Sequence, residues 1–101
     1  MTRPVRWTNR ASAQLQEAAT YLEKARPGTG LSFVDQVEAI LQVASDHPEV
    51  FPRVPDVLGH EVRRGLVRRC GYWIIYEKRT EDILVLSVWH GARKPEGWRE
   101  R

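Results

Sequence analysis

The chain of 101 residues has a single cysteine and no long apolar run. The lone thiol of Cys70 excludes an internal disulfide, and no nearby His or Asn spacing supports a catalytic thiol. No apolar stretch approaches the roughly 18 residues that a membrane-spanning helix needs. The start of the chain carries Arg3, Pro4 and Arg6 without an apolar segment behind them. We therefore expect no signal peptide and a cytoplasmic location.

The motifs of common cofactor and metal sites are missing as well. There is no glycine-rich phosphate loop and no serine elbow. The histidines His47, His60 and His90 are too isolated in sequence to argue for zinc. We therefore expect no cofactor, no metal and no membrane partner.

Charge is distributed unevenly along the chain. Residues 1–52 hold 5 Lys/Arg and 6 Asp/Glu, a net charge of −1, whereas residues 53–101 hold 11 and 7, a net charge of +4. The basic half predicts contact with an acidic partner, either nucleic acid or an acidic protein segment. A solvated arginine surface is the alternative for so modest an excess of charge.

The first half of the chain has the apolar spacing of helices. Thr8 or Asn9 is expected to cap a helix whose narrow, alanine-rich apolar stripe covers residues 11–25. The segment RPG at 26–28 ends this helix, because proline cannot continue it and glycine frees the backbone. A second helix is predicted over residues 30–45. The short break between them predicts an antiparallel helical hairpin.

Strand patterns flank this hairpin. A short strand is predicted at 4–7, and after a proline-containing loop three more are predicted at 61–67, 70–78 and 83–90. The last three are expected to form an antiparallel meander in one sheet with the first strand, and the helical hairpin to pack on one face. Strand 83–90 is apolar on both faces, which predicts that it is central in the sheet or covered on both sides. Residues 1–101 are thus predicted to form a single α+β domain with the order β-α-α-β-β-β.

Several side chains have predicted places in this domain. Core packing is expected for three helix residues, with a groove for a partner helix as the alternative: Tyr21, Phe33 and Val37. Val50 and Phe51 are expected to plug the edge of the core. Trp98 is expected to fold the tail back against the sheet, because an indole is costly to leave in water.

Short motifs in a fixed order resemble the RelE/ParE superfamily of bacterial toxins from type II toxin–antitoxin systems. The motifs are VRWTNRA at the start, HPEVFP at 47–52, EVRR at 61–64, GYWIIY at 71–76 and SVWHGAR at 87–93, with Pro95 and Trp98 beyond. The resemblance implies one of two activities. RelE-like members cut messenger RNA in the ribosomal A site, whereas ParE-like members have no known nuclease site and inhibit DNA gyrase. In both, an antitoxin whose C-terminal segment wraps the toxin keeps it inactive.

The residues at the nuclease positions depart from the RelE pattern. Metal-free RNA cleavage needs a base, an acid and cations that stabilise the phosphorane between them. Where RelE-like nucleases carry Arg after the Gly-Tyr pair, this chain has Trp73. Arg64 matches one basic position on the preceding strand, but Leu66 replaces the second, and the tail tyrosine has no counterpart near Trp98. The resemblance therefore implies a ParE-like toxin with no catalytic residues of its own.

An alternative remains a ribosome-dependent endoribonuclease. His90 ends the last strand and has a suitable unperturbed pKa for proton transfer, and Arg93 and Arg64 would supply cations. Glu61 or Glu77 would face them. A structural His90 that only hydrogen-bonds the following turn is the simpler interpretation. A third hypothesis is a decayed toxin that only sequesters an antitoxin.

The partners implied by the resemblance are a cognate antitoxin, in a hetero-oligomer, and DNA gyrase, with the ribosome and messenger RNA as the alternative. Two adjacent arginine pairs are costly to crowd on one hairpin unless a partner offsets their repulsion. Trp73, on the sheet face away from the helices, would expose an apolar patch that marks the antitoxin footprint. The predicted partner-binding residues are Arg63, Arg64, Arg68, Arg69, Trp73, His90, Arg93 and Trp98.

Overall fold

Two helices and a four-stranded sheet make up the fold in a computed structural model that describes residues 2–55, 57–94 and 97–99. Their bounds are β1 Val5–Trp7, α1 Asn9–Ala25, α2 Thr29–Asp46, β2 Glu61–Val67, β3 Tyr72–Lys78 and β4 Ile83–His90, followed by a 3-10 turn Gly97–Arg99. The predicted α+β order β-α-α-β-β-β is confirmed. Pro95, one of the residues that carry the resemblance, lies outside the described residues.

The sheet has the strand order β1-β4-β3-β2. The three C-terminal strands form the predicted antiparallel meander, and β1 pairs in parallel with β4. Strand β4 is therefore central, as expected from its two apolar faces. Strand β3 begins at Tyr72 rather than at the predicted Cys70, because the amides of Cys70 and Gly71 both donate to the carbonyl of Val67 and close the hairpin turn.

The helices cover one face of the sheet. The side chain of Thr8 accepts a hydrogen bond from the amide of Ala11, so Thr8 rather than Asn9 is the cap of α1. Phe33 and Val37 are buried in the core between α2 and the sheet, as predicted. Tyr21 is 69% exposed, so its predicted core position is wrong. The buried stripe of α1 is made by smaller side chains, and Tyr21 projects from its flank.

A second core lies on the opposite face of the sheet. Trp98 packs there on Val62 and Ile75, which confirms that the tail folds back over the sheet. The sheet is therefore covered on both faces, by helices on one and by Val54, Val57 and Trp98 on the other.

The loop before β2 is anchored by aromatic contacts. Phe51 packs edge-on against Tyr76, with ring centroids 6.2 Å apart, as expected for a plug at the core edge. Val50 is 58% exposed, so the same prediction for Val50 is wrong. The hydroxyl of the buried Tyr76 donates to the carbonyl of Pro48 at 2.8 Å, which ties the end of α2 to the sheet.

Tyr76→Phe is expected to lower the free energy of unfolding by about 1–2 kcal/mol, because the buried carbonyl of Pro48 loses its donor. Urea denaturation followed by circular dichroism measures the change. Tyr21→Phe is the matched control, since Tyr21 is 69% exposed and its hydroxyl is free to bond water. Equal effects of the two substitutions would contradict the anchoring role of Tyr76.

The Tyr76 anchor also has a pH signature. Burial raises the pKa of Tyr76 from the ordinary 10.0 to about 12, so the folded protein keeps this proton where the unfolded chain loses it. The contribution of Tyr76 to stability is therefore complete below pH 10.0 and decreases as pH rises toward about 12. Tyr76→Phe is expected to flatten the fall of stability over that range.

Candidate functional site

The sheet face opposite the helices carries six arginine and tryptophan side chains, which we call the indole face: Arg64, Trp73, Trp89, Arg93, Trp98 and Arg99. Strand alternation brings the first three to one side. Trp73 lies directly opposite Trp89 across the β3–β4 pair, and Arg64 is on β2 beside them. Trp98 joins the same apolar cluster from the tail.

Each indole of this face is covered by a guanidinium. The guanidinium carbon of Arg64 lies 4.2 Å from the ring centroid of Trp73, that of Arg93 lies 5.0 Å from Trp89, and that of Arg99 lies 5.3 Å from Trp98. A cation over an indole is held by the negative ring face. Trp73 is half-buried beneath Arg64. The prediction of a bare apolar patch at Trp73 is therefore wrong, because the charged guanidinium of Arg64 covers the ring.

The tail is fixed against the sheet by close packing. A Cβ atom at Gly97 would lie 2.5 Å from Cζ2 of Trp89, so only glycine fits at this approach. The guanidinium of Arg10 donates to the carbonyl of Trp98 at 2.6 Å, which holds the tail to the start of α1. Trp98 is 9% exposed, so it supports the surface and leaves little of its ring for a partner.

The predicted basic hairpin divides into two kinds of arginine. The side chain of Arg63 is 14% exposed, pairs with Glu61 at 2.8 Å and donates to the carbonyl of Phe51 at 2.7 Å. Arg63 therefore holds the preceding loop to β2. Arg68 and Arg69 are exposed at the turn after β2, and neither has an ion pair with another described residue. They extend the positive surface beyond the indole face.

The carboxylates of the sheet form ion pairs at the end that is farther from the turn after β2. This is the end where β2 and β4 begin and β3 ends. The ion pairs there are Arg79–Asp82, Arg6–Asp82, Lys78–Glu49, Lys78–Glu61, His60–Glu77 and Arg63–Glu61. The hydrogen bond from Arg79 lowers the pKa of Asp82, and that from Lys78 lowers the pKa of Glu49. Charge is thus balanced by ion pairs at this end of the sheet, whereas Arg64, Arg93 and Arg99 of the indole face make no ion pair with another described residue.

His90 lies on the helix side of the sheet. Its ring stands edge-on to that of Tyr72, with centroids 4.8 Å apart, and its Nδ1 accepts from the amide of Ala92 at 3.0 Å. His90 therefore hydrogen-bonds the turn that follows the strand. Burial raises the pKa of Tyr72, and the nearby Arg93 partly offsets this rise. Arg93 lies in the turn after β4, where it borders both sides of the sheet. It stacks on Trp89 and also lines, with His90, Tyr72 and Glu17, an open cavity of about 380 Å³.

The candidate nuclease residues are not assembled. Tyr72, and with it His90, belongs to the helix side, whereas Arg64 stacks on Trp73 on the indole face. The sheet therefore separates His90 from Arg64. Glu61 pairs with Arg63, and Glu77 accepts from His60 at 2.7 Å, so both carboxylates are engaged elsewhere.

A second surface, the helix groove, runs between α1, α2 and β1. It is an open cavity of about 800 Å³ whose apolar lining includes Val5, Trp7, Leu15 and Val34. Strand β1 borders it as an edge strand of the sheet. Of the three residues considered for a partner groove, Tyr21, Phe33 and Val37, only Val37 lines this cavity. The signal for the observed groove was the alanine-rich stripe of α1, which leaves the longer Leu15 at its margin.

No helix within residues 2–55, 57–94 and 97–99 is long and apolar enough to cross a membrane. Across the same ranges, no three His, Cys, Asp or Glu side chains are grouped so that they could hold a metal ion.

Comparisons with known proteins agree with the fold. A family model described as "ParE toxin of type II toxin-antitoxin system, parDE" matches residues 5–95. The solved structure titled "Chromosomal ParDE TA system from P. aeruginosa" is similar with a TM-score of 0.73 over 88% of this chain and 96% of that chain. The two sequences are 18% identical, so this likeness shows the fold alone. No curated protein matches the chain.

Gly97→Ala is expected to release the tail from the indole face, because the added methyl collides with the ring of Trp89. We expect a loss of about 1–3 kcal/mol in the free energy of unfolding, as for overpacked cores, and easier quenching of tryptophan fluorescence by iodide. Gly28→Ala is the control, because a Cβ there meets nothing within 4 Å and adds only backbone strain. Unchanged quenching in Gly97→Ala would show that the tail contact is not tight.

Proposed function

The chain belongs to the ParE toxin family of type II toxin–antitoxin systems, and on that premise we propose that it inhibits DNA gyrase and is neutralised by a cognate antitoxin. The position of Trp73 is the observation that favours gyrase inhibition over messenger RNA cleavage. Where the RelE-like pattern has a catalytic arginine, the side chain is an indole covered by Arg64 at 4.2 Å. An indole supplies no cation for a phosphorane.

The helix groove is the surface that we propose for the antitoxin. Trp7, Leu15 and Val34 line an open apolar channel, which suits the apolar face of an amphipathic helix. The edge strand β1 beside it offers backbone groups to an extended segment. The similar structure is titled as a ParDE TA system, which supports an antitoxin partner and a hetero-oligomer.

The basic surface is what we propose for the target. Arg68 and Arg69 are exposed at the turn after β2, and Arg93 is exposed after β4. Positive charge on adjoining turns favours contact with an acidic region of gyrase and speeds the encounter. Arg63, whose guanidinium is engaged within the fold, would support this surface without contacting the partner. With gyrase as the proposed target, the proposed location of the toxin is the cytoplasm.

One observation favours the ribosome-dependent nuclease as a second candidate. His90 and Arg93 line the same cavity, so an acid or base and a cation are near each other. Arg64 would have to act from the opposite face of the sheet. The nuclease therefore depends on His90, and the gyrase inhibitor does not.

His90→Gln is expected to leave growth arrest within about threefold of the unchanged toxin, because a gyrase inhibitor does not use His90 as an acid or base. In a nuclease, loss of the general acid or base would lower the rate by about 10²–10⁴-fold. Inhibition of supercoiling by purified gyrase is expected to be equally unaffected. Message cleavage in a reconstituted translation reaction, with 5′ ends mapped, is the parallel measurement. New cuts at A-site codons that vanish in His90→Gln would replace gyrase inhibition with the nuclease.

Val34→Glu is expected to weaken antitoxin binding by about tenfold or more, because an unpaired carboxylate would be buried beneath the antitoxin. Titration calorimetry with the cognate antitoxin measures the loss. Val43→Glu on the same helix is the matched control, since Val43 is 42% exposed and does not line the groove. Equal losses in both variants would place the antitoxin elsewhere on the toxin. Supercoiling inhibition by the free Val34→Glu toxin should persist.

A further inference from the structure

The indole face holds its arginines in fixed positions. Trp73 and Trp89 are direct cross-strand partners, and Trp98 closes the same cluster from the tail. The guanidinium groups of Arg64 and Arg93 lie over the rings within 5.0 Å of their centroids. A guanidinium stacked on an indole keeps its N–H groups directed outward. These planar donors are already positioned, so they lose little conformational entropy when they bind a partner.

Arg64, Arg93 and Arg99 also have no ion-pair partner among the described residues. Across the described part of the sheet, the carboxylates are paired at the end where β2 and β4 begin. Arg68 and Arg69 continue the positive charge into the neighbouring turn. The field of this face is therefore positive and is not offset within it.

Protein interfaces are themselves enriched in tryptophan and arginine, so the stacked pairs alone do not choose between a protein and a nucleic acid. The charge favours nucleic acid, because five arginines of this face and the adjoining turn have no ion pair with a described residue: Arg64, Arg68, Arg69, Arg93 and Arg99. Interfaces for nucleic acid are polar and positively charged, and the planar guanidinium matches phosphate oxygens in pairs.

We propose that the indole face binds the phosphate backbone of duplex DNA. The guanidinium edges of Arg64 and Arg93 contact phosphates, and the indoles beneath hold these cations in place. Arg99 adds positive charge beside them, with one N–H donated to the carbonyl of Pro55 at 2.8 Å. Because the rings are covered by arginine, bases have little access to them, so binding is independent of sequence. The choice of duplex DNA over RNA rests on the proposed gyrase function. The phosphate chemistry rests on the geometry of the face alone.

The test is the binding of a short labelled DNA duplex by the full-length toxin, followed by fluorescence anisotropy across a range of salt concentrations. The variant is Arg64→Gln with Arg93→Gln, which removes both stacked guanidinium groups. Lys24→Gln with Arg26→Gln is the matched control, because both residues are exposed where α1 ends, on the helix side. It makes the same change in net charge.

We expect the unchanged toxin to bind the duplex with an affinity that falls steeply with salt. The double variant should bind at least about fivefold more weakly at low salt, and its salt slope should be smaller by about 1.8, near 0.9 for each lost phosphate contact. The control should match the unchanged toxin. Arg64→Lys with Arg93→Lys keeps the charge without the fork, so intermediate binding would support planar recognition. Circular dichroism confirms that each variant is folded.

Three outcomes would overturn the proposal. They are no duplex binding by the unchanged toxin at low salt, full binding by the folded double glutamine variant, and a preference for single-stranded RNA of matched length. The gyrase function has a separate readout, the supercoiling assay. Gyrase inhibition without DNA binding would sink only this inference, whereas DNA binding without gyrase inhibition would sink only the proposed function.

Discussion

The register between β3 and β4 determines what both faces of the sheet present. The pairing of Tyr72 with His90 and of Trp73 with Trp89 sends neighbouring residues to opposite sides. Tyr72 reaches the core beneath the helices, where its ring is 5.1 Å from that of Phe33. Trp73 forms the centre of the indole face. A slip of one residue would exchange the two sets and place tryptophan under the helices.

Local patterns were enough to predict the elements of this fold. Helical spacing, a cap at Thr8 or Asn9 and the alternation in β2 and β4 depend on neighbours in sequence, and the structure confirms these predictions with Thr8 as the cap. The return of Trp98 to the sheet was also predictable, since an indole gains free energy on leaving water. Tyr21 was misplaced because helical spacing alone does not say how wide the buried stripe is.

The candidate site was less predictable because its geometry is not local. Arg63 and Arg64 are neighbours in sequence and were predicted to act together, yet alternation gives them different roles. Arg63 binds the carbonyl of Phe51, whereas Arg64 covers Trp73. The helix groove likewise depends on the parallel pairing of β1 with β4, a contact between the two ends of the chain. No window of sequence contains that information.

The same alternation bears on the chemistry of the superfamily. A metal-free nuclease needs an acid, a base and cations within hydrogen-bond reach of one phosphate. In this chain His90 is held by Tyr72 and by the amide of Ala92 on one side of the sheet, and Arg64 is held by Trp73 on the other. Joining them would require a different register or a side chain that reaches around the sheet. Trp73 therefore both removes a cation and fixes a neighbouring arginine away from His90.

The helix groove and the indole face lie on opposite sides of the sheet, and this separation constrains the proposed neutralisation by an antitoxin. An antitoxin helix confined to the groove would contact Leu15 and Val34 and leave the stacked arginines open. Neutralisation through the indole face therefore needs a further segment that passes the edge of the sheet. Because that face is positive and is not offset by carboxylates within it, the segment that fits is acidic. An antitoxin without such a segment would have to act by steric hindrance, in which the bound antitoxin keeps the target from reaching the toxin.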